Sequence, residues 1–380
     1  MDVTAASPSL GFTILMFLLV ITILVFVHEM GHFLVARFFG VKVDVFSIGF
    51  GKELIGWSDK HGTRWKIAPF PVGGYVKFAG DANAASQPSE PLPDVSPEES
   101  ALFFQNKPLY QRSLIVAAGP FINFLFAIVV FAALFMTLGQ PYSEPVIGSV
   151  GEPSPGFEAG FKPGDRVLMV DGQTVDTFEE LRSYVMVRPE IPIEMDIERA
   201  GETLSLRVTP QLLRAEDKFG NEYERGLIGL GPANPKMIKR GPIESFYYAT
   251  VATKDQLDGM LDGLWQIISG RMSVDQLSGP VRIAKLSGEI ASISVVSLVK
   301  FMAFISISLG LVNLFPIPML DGGHLMFYGY EALRRRPVSI KMQELAMVAG
   351  LMLVVTWSVF VTWNDLKALK VWEGLSKFVS

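Results

Sequence analysis

The sequence predicts a polytopic α-helical membrane protein with four transmembrane helices, a membrane-associated β-sheet and one inserted extracytoplasmic domain. Three observations predict this class. Hydrophobic residues make up 49% of the chain while charged residues fall to 19%, below the usual quarter. The apolar residues gather in four long runs, about Leu10 to Phe39, Leu114 to Leu138, Ser297 to Ile317 and Leu345 to Trp363, each able to cross a bilayer core. Between the second and third runs, from about Glu144 to Pro235, short β-like runs alternate with turn residues, the pattern of a soluble domain.

The first segment, residues 1–40, is a membrane helix with chemistry inside it. Leu10 to Val27 carries no charge, and its eighteen residues rise through roughly 27 Å. The run leads straight into Val27-His28-Glu29-Met30-Gly31-His32, so two imidazoles and a carboxylate lie within the helix. No Lys or Arg precedes Leu10, which argues against a cleavable signal peptide. An H-E-x-x-H on a helix sets its histidines one turn apart on one face, where both reach a single metal ion. Glu29 stands beside them, not needed as a ligand and close enough to take a proton from the attacking water. The chemistry predicted is metal-assisted hydrolysis. A packing role for all three is the weaker reading, because ionisable groups at membrane depth are costly.

Residues 41–112 predict a cytoplasmic-side, membrane-associated sheet followed by a loop. Val43 to Gly51 (VDVFSIGFG) and Phe70 to Gly80 (FPVGGYVKFAG) alternate apolar and other residues, with Gly73-Gly74 as a turn or bulge. Asp81 to Ser100 is rich in Pro, Ser, Ala and acids and reads as a mobile loop. In the second span, residues 113–139, the small residues Ala117, Ala118 and Gly119 permit close helix contact, and Asn123 can bond a neighbouring helix in a packing role.

The soluble stretch, residues 144–235, has a recognisable order. Ala159-Gly160-Phe161-Lys162-Pro163-Gly164-Asp165 leads into Val167-Leu168-Met169-Val170-Asp171-Gly172, and a helical stretch Phe178 to Val187 follows. This order resembles a circularly permuted bacterial PDZ domain, and the length allows one such domain. PDZ domains add a peptide as an extra strand and hold its C-terminus in a backbone nest. Residues 236–296 predict an extracytoplasmic amphipathic helical segment, packed on the PDZ domain or resting at the outer membrane surface.

The third span, residues 297–324, is followed by a cytoplasmic loop at 325–344, a fourth span at 345–364 and a tail at 365–380. Arg334, Arg335, Arg336 and Lys341 cluster between spans three and four, whereas no basic residue precedes span one. This bias puts both termini and the inserted domain outside the cytoplasm. A net charge of −5 with no basic stripe excludes nucleic acid as an expected partner. With no cysteine, any metal must be held by His, Asp or Glu.

Two histidines leave a zinc site incomplete. The strongest source of a third ligand is Asn313-Leu314-Phe315-Pro316-Ile317-Pro318-Met319-Leu320-Asp321-Gly322-Gly323-His324. Its prolines cannot continue helical bonding, so the backbone should unwind and project Asp321 sideways. The motif pair His28-Glu29-x-x-His32 and Asn313-x-x-Pro316-x-Pro318-x-Leu320-Asp321-Gly322 closely resembles the site-2 protease family of intramembrane zinc metalloproteases. With the PDZ-like insert and Leu277-Ser278-Gly279-Pro280-Val281-Arg282-Ile283-Ala284, the resemblance covers almost the whole chain and narrows to the bacterial regulator-of-sigma-E protease branch. Enterobacterial members have two tandem PDZ domains, and this chain departs from them with one.

The resemblance implies one Zn2+ per chain held by His28, His32 and Asp321, with Glu29 as general base. Asn313 would hold the substrate backbone or the developing oxyanion, and His324 would be structural or support a ligand. A transmembrane substrate must unwind before attack, and in this family a sheet beside the site is held to pair with it. That gives a substrate-binding role to Ser47, Ile48, Gly49, Phe50, Gly51, Gly73, Gly74 and Tyr75. The implied substrates are single-pass membrane proteins, such as an anti-sigma factor or signal-peptide remnants, already trimmed by another protease. The setting is regulated intramembrane proteolysis in the bacterial inner membrane, with the active site near the cytoplasmic side and the PDZ domain excluding untrimmed substrates. Two alternatives stand beside it: a non-enzymatic membrane-tethered PDZ receptor, and a membrane non-haem iron oxygenase, which shares the two-histidine, one-carboxylate set.

Overall fold

The first helix, α1 (Leu10–Phe38), starts where Ser9 accepts a hydrogen bond from the Phe12 N–H and stops before Gly40, whose φ is +67°. The computed structural model describes residues 8–81, 96–216, 222–234, 236–270 and 279–368. After α1 come strands β1 (Val43–Phe50), β2 (Ile55–Ser58), β3 (Arg64–Ile67) and β4 (Phe70–Phe78). A short helix α2 (Pro97–Ser100) and a 3-10 turn at Phe104–Asn106 lead into α3 (Leu109–Thr137). The inserted part runs β5 (Gln140–Tyr142), β6 (Ile147–Val150), α4 (Pro155–Glu158), β7 (Arg166–Val170), β8 (Gln173–Thr174), α5 (Phe178–Met186), β9 (Ile193–Arg199), β10 (Glu202–Val208), β11 (Gln211–Glu216), β12 (Glu222–Leu227), β13 (Leu230–Pro232) and β14 (Lys236–Ile238). Five helices follow: α6 (Pro242–Ile268), α7 (Pro280–Ile293), α8 (Val295–Asn313), α9 (Asp321–Arg334) and α10 (Ile340–Ala368). Among the described residues α1, α3, α8 and α10 are long and apolar enough to cross a membrane, in agreement with the four predicted spans.

The chain forms two units. The first comprises residues 1–131, 248–262 and 278–365. Its sheet, in the order β2-β3-β1-β4, lies against α1. Phe46 on β1 stacks on Trp65 at 4.4 Å and meets Phe33 and Phe26 of α1 edge-on at 5.5 and 5.8 Å. Each such aromatic pair adds about 0.5–1.5 kcal/mol beyond burial. Arg37 at the end of α1 bonds Asp59 and Thr63 in the turn between β2 and β3, so the sheet is fixed to the helix. The register of β1 and β4 shifts between Ile48 and Phe50, opposite Gly74 and Phe70, so the bulge expected near Gly73-Gly74 is present.

The second unit comprises residues 132–247, 263–277 and 366–380. Its sheet β10-β9-β7-β8 and helix α5 enclose a core that includes Ile147, Val167, Val170, Leu181, Met195 and Ile197. Burying each of these contributes about 1.5–3 kcal/mol. Asp165, in the Gly-Asp of the predicted signature, accepts from the Lys162 N–H and from both ends of the Arg199 guanidinium, each at 2.7 Å.

Several predicted boundaries move. The inserted domain extends beyond 144–235, because β5 pairs with β14; strands of three residues are too short to show alternation. The second span begins at Leu109 rather than 113, since Pro108 starts the helix before the apolar residues do. The segment predicted as a loop at 325–344 is helical through Arg334, and the chain turns only at Arg335, where φ is +54°. The fourth helix covers Ile340–Ala368 instead of 345–364. Within 236–296, α7 belongs to the first unit. It packs on α1 and α8, with Gly288 so close to α1 that a Cβ would lie 2.9 Å from the Thr13 Cα. The Asp365 carboxylate caps its first turn, accepting from the Gly279 and Arg282 N–H groups at 3.0 and 2.9 Å. Residues 82–95 of the predicted loop, Leu277-Ser278 of the quoted motif and the tail beyond Ala368 lie outside the described residues.

Candidate metal centre

His28 and His32 sit one turn apart on α1, and the third ligand arrives from a separate helix. Residues 314–320 leave helical geometry, with Met319 at φ +87°, and the chain re-enters a helix at Asp321, the first residue of α9. The unwinding expected from Pro316 and Pro318 is therefore present. A carboxylate in a first helical turn is also favoured by the helix dipole.

The three side chains converge on one point. His28 Nε2 lies 3.2 Å from Asp321 Oδ2 and 3.3 Å from His32 Nε2, and His32 Nε2 lies 3.5 Å from Asp321 Oδ1. Tetrahedral zinc with bonds of 2.0–2.1 Å spaces its ligand atoms about 3.3 Å apart. Asp321 Oδ2 is buried without a hydrogen-bond donor, as a metal-ligating oxygen should be. Among the described residues this is the one His, Asp or Glu group that could hold a metal. Geometry and donor chemistry both fit Zn2+.

The face of α3 opposite the histidines sets their protonation. Ile115, Gly119 and Asn123 recur every fourth residue and form one stripe along it. His32 Nδ1 lies 2.9 Å from the Ile115 carbonyl oxygen. A carbonyl only accepts, so Nδ1 carries the proton and Nε2 keeps its lone pair for metal. Asn123, fully buried, has its Nδ2 2.9 Å from His28 Nδ1, while its Oδ1 is buried without a partner. The two ends of an amide are assigned by their hydrogen bonds. Turned over, Oδ1 accepts from His28 Nδ1–H and gives His28 the same tautomer as His32. Gly119 makes the room: a Cβ there would lie 2.5 Å from His32 Cε1 and 2.8 Å from His28 Cε1.

The sheet reaches the same place. Gly74 on β4 lies against α1, where a Cβ would stand 3.0 Å from Val25 Cγ1 and 3.4 Å from Glu29 Cγ. Glu29 is within electrostatic reach of His28, His32 and Asp321. β4 is an edge strand of its sheet among the described residues, so Gly73, Gly74 and Tyr75 lie on the margin nearest the metal helix. Ser47, Ile48, Gly49, Phe50 and Gly51 lie on or just after β1, one strand further in. Ser47 is buried with its hydroxyl donating to the Gly49 carbonyl at 2.8 Å, and Phe50 stacks on Tyr75 at 6.1 Å. Asn313 closes α8 at the start of the unwound turn. The amide that reaches a ligand is Asn123, to which the sequence assigned packing alone; its spacing of four from Gly119 was the available signal. His324 is not among the converging ligands.

The chain is similar over most of its length to known peptidases. The sequence model of peptidase family M50 matches residues 16–357. A Rhizobium meliloti protein bearing the name zinc metalloprotease is 46% identical, over 95% of this chain and 98% of its own. A zinc metalloprotease by name from Agrobacterium fabrum is 45% identical, over 97% and 99%. The metalloprotease MmpA of Caulobacter vibrioides is 36% identical, over 96% and 98%. Among solved structures, the PDZ domain of an SdrC-like protein from Listeria monocytogenes matches 24% of this chain and 90% of its own, with 18% identity and a TM-score of 0.19.

Proposed function

The chain belongs to the site-2 protease family, peptidase family M50, and from that premise we propose that it cleaves single-pass membrane proteins within their transmembrane segments. It is an integral membrane zinc metalloprotease. The observation that carries the finer reading is the placement of His28, Glu29 and His32 inside a helix, in its second half, that has the length and hydropathy of a membrane span.

When bound, Zn2+ supplies a Lewis acid that polarises the scissile carbonyl and eases deprotonation of water. His28, His32 and Asp321 would hold it. Asn123 and the Ile115 carbonyl fix the two imidazoles with Nε2 facing the metal, which removes a tautomer search. Glu29 takes the proton of the attacking water on its carboxylate and later delivers it to the leaving amine.

A helical substrate hides its peptide bonds in its own hydrogen bonds and must unwind to be cut. The edge of β4 offers the unwound segment a strand to pair with, beside Glu29, as in β-strand addition. The route in is alongside α10. That helix is held through Gly350 against Pro318 and through Val361 and Asp365 against Gly279, while nearly all residues of 351–360 between them are exposed around its circumference. An apolar substrate helix fits beside such a span. Asn313 serves the substrate backbone in this reading. The inserted domain, of PDZ type, stands outside the cytoplasm with both termini and excludes substrates that another protease has not trimmed; the membrane is the bacterial inner membrane and the site faces its cytoplasmic side.

The test uses full-length protein in detergent with a single-pass substrate lacking its extracytoplasmic domain. Cleavage by the wild type that stops with Glu29→Gln, and stops reversibly with a zinc chelator, is the expected result. Cleavage that survives Glu29→Gln, or sites outside the transmembrane segment, would overturn the reading.

A further inference from the structure

The geometry points to Arg112 as a positioning residue for the metal ligand Asp321, acting through α9. The proposal rests on the metal centre described above. Asp321 cannot be indexed by α8, because seven residues of non-helical chain separate Asn313 from Asp321. Nor does a side chain cap the start of α9: its N-cap residue is Leu320. What orients Asp321 is the orientation of α9 as a rod, and rotation about its axis matters most. A side-chain tip 5–6 Å from a helix axis moves about 1 Å when the helix turns by roughly 10°. A metal site tolerates deviations of only about 0.2 Å.

Asp321, Leu325 and Tyr328 lie on one stripe of α9, at steps of four and three residues. Leu325 and Tyr328 pack against the core formed by Phe33, Phe46 and Ile115. Apolar contacts alone permit sliding and rotation, and Arg112 supplies direction. Its Nη2 donates to Glu331 Oε1 at 2.7 Å, its Nε donates to the Lys107 carbonyl at 3.1 Å, and its guanidinium carbon lies 5.1 Å from the centre of the Tyr328 ring. Tyr328 and Glu331 are one turn apart, so one planar fork grips two neighbouring side chains of α9 while anchored to the backbone that starts α3. The pair is largely buried, with Arg112 14% and Glu331 20% exposed, which keeps it from being screened as a surface pair would be. The helix that carries Ile115, Gly119 and Asn123 to the histidines thereby also fixes the aspartate, and both halves of the ligand set share one reference.

Zinc retention by full-length protein in detergent, titrated against a competing chelator, tests this without relying on turnover. Arg112→Gln and Glu331→Gln should each weaken zinc binding about 10- to 100-fold, and lower kcat more than KM. The exchange Arg112→Glu with Glu331→Arg should recover most of the loss. Asp165→Asn, which breaks the buried ion pair with Arg199 in the inserted domain, controls for general loosening and should leave zinc affinity unchanged. Single variants that hold zinc as tightly as the wild type, an exchange no better than the singles, or an equal loss in Asp165→Asn would each overturn the proposal. A wild type that binds no zinc would overturn the metal centre itself, a result separate from the other three.

Discussion

Replacing Gly119 by alanine probes the centre with one carbon atom. The added Cβ would lie 2.5 Å from His32 Cε1 and 2.8 Å from His28 Cε1, and closer still to His32 Nε2, the atom that faces the metal. Carbon contacts relax only at about 3.5 Å, so the imidazoles must retreat by roughly 1 Å or α3 must move away by as much. Either shift exceeds the roughly 0.2 Å that a zinc site tolerates. We expect zinc affinity to fall about 10- to 100-fold, or about 1.4–2.7 kcal/mol, and proteolysis to fall with it. The fold should suffer less. Crowding costs about 1–3 kcal/mol, while alanine in a helix recovers up to about 1 kcal/mol over glycine. The assay compares chelator-titrated zinc affinity with thermal unfolding of zinc-free protein, using Gly259→Ala on α6 as the matched control, since a Cβ there meets nothing within 4 Å. Wild-type zinc affinity in Gly119→Ala would refute the placement of the histidines against α3.

The remaining predictions concern the amide beside His28 and the inserted domain. Asn123→Leu preserves approximate bulk but removes the hydrogen bond to Nδ1, and zinc dissociation should become 10- to 100-fold easier; equilibrium dialysis against a chelator measures it. In the inserted domain, burial works to raise the Asp165 carboxyl, but the bidentate Arg199 and the Lys162 N–H prevail and hold it below the usual carboxylate range. A depressed native pKa stabilises the fold above the unfolded value near pH 4 and ceases to do so as pH falls through the native value. The protection factors of the β7 and β9 amides, taken relative to intrinsic exchange at each pH, should therefore fall on acidification below about pH 4, and Asp165→Asn should flatten that dependence while lowering stability at neutral pH.

The parts legible in the sequence are those governed by neighbours along the chain. A four-residue spacing puts His28 and His32 on one face of any helix, uninterrupted apolar length declares a span, and Pro316 and Pro318 break the backbone before Asp321 wherever the fold places it. The alternating runs and the Gly-Asp of the inserted domain likewise mark β7, β9, β10 and α5. Strands β2 and β3 passed unseen, because four residues with Gly and charge show no clear period.

Which helix faces which was decided by the tertiary structure. On a soluble helix a polar stripe marks the outside, but α1, α3 and α8 are apolar on nearly all sides, so no pattern names the inward face. Only packing could turn Gly119 and Asn123 toward the two imidazoles, seat α7 on α1 through Gly288, and bring the fork of Arg112 to Tyr328 and Glu331 across two hundred residues of chain. The sequence by itself determined the metal-binding chemistry and the unwound turn that frees the third ligand. Tertiary structure decided the protonation and aim of the histidines, because those depend on close approach between helices whose surfaces look alike in the sequence.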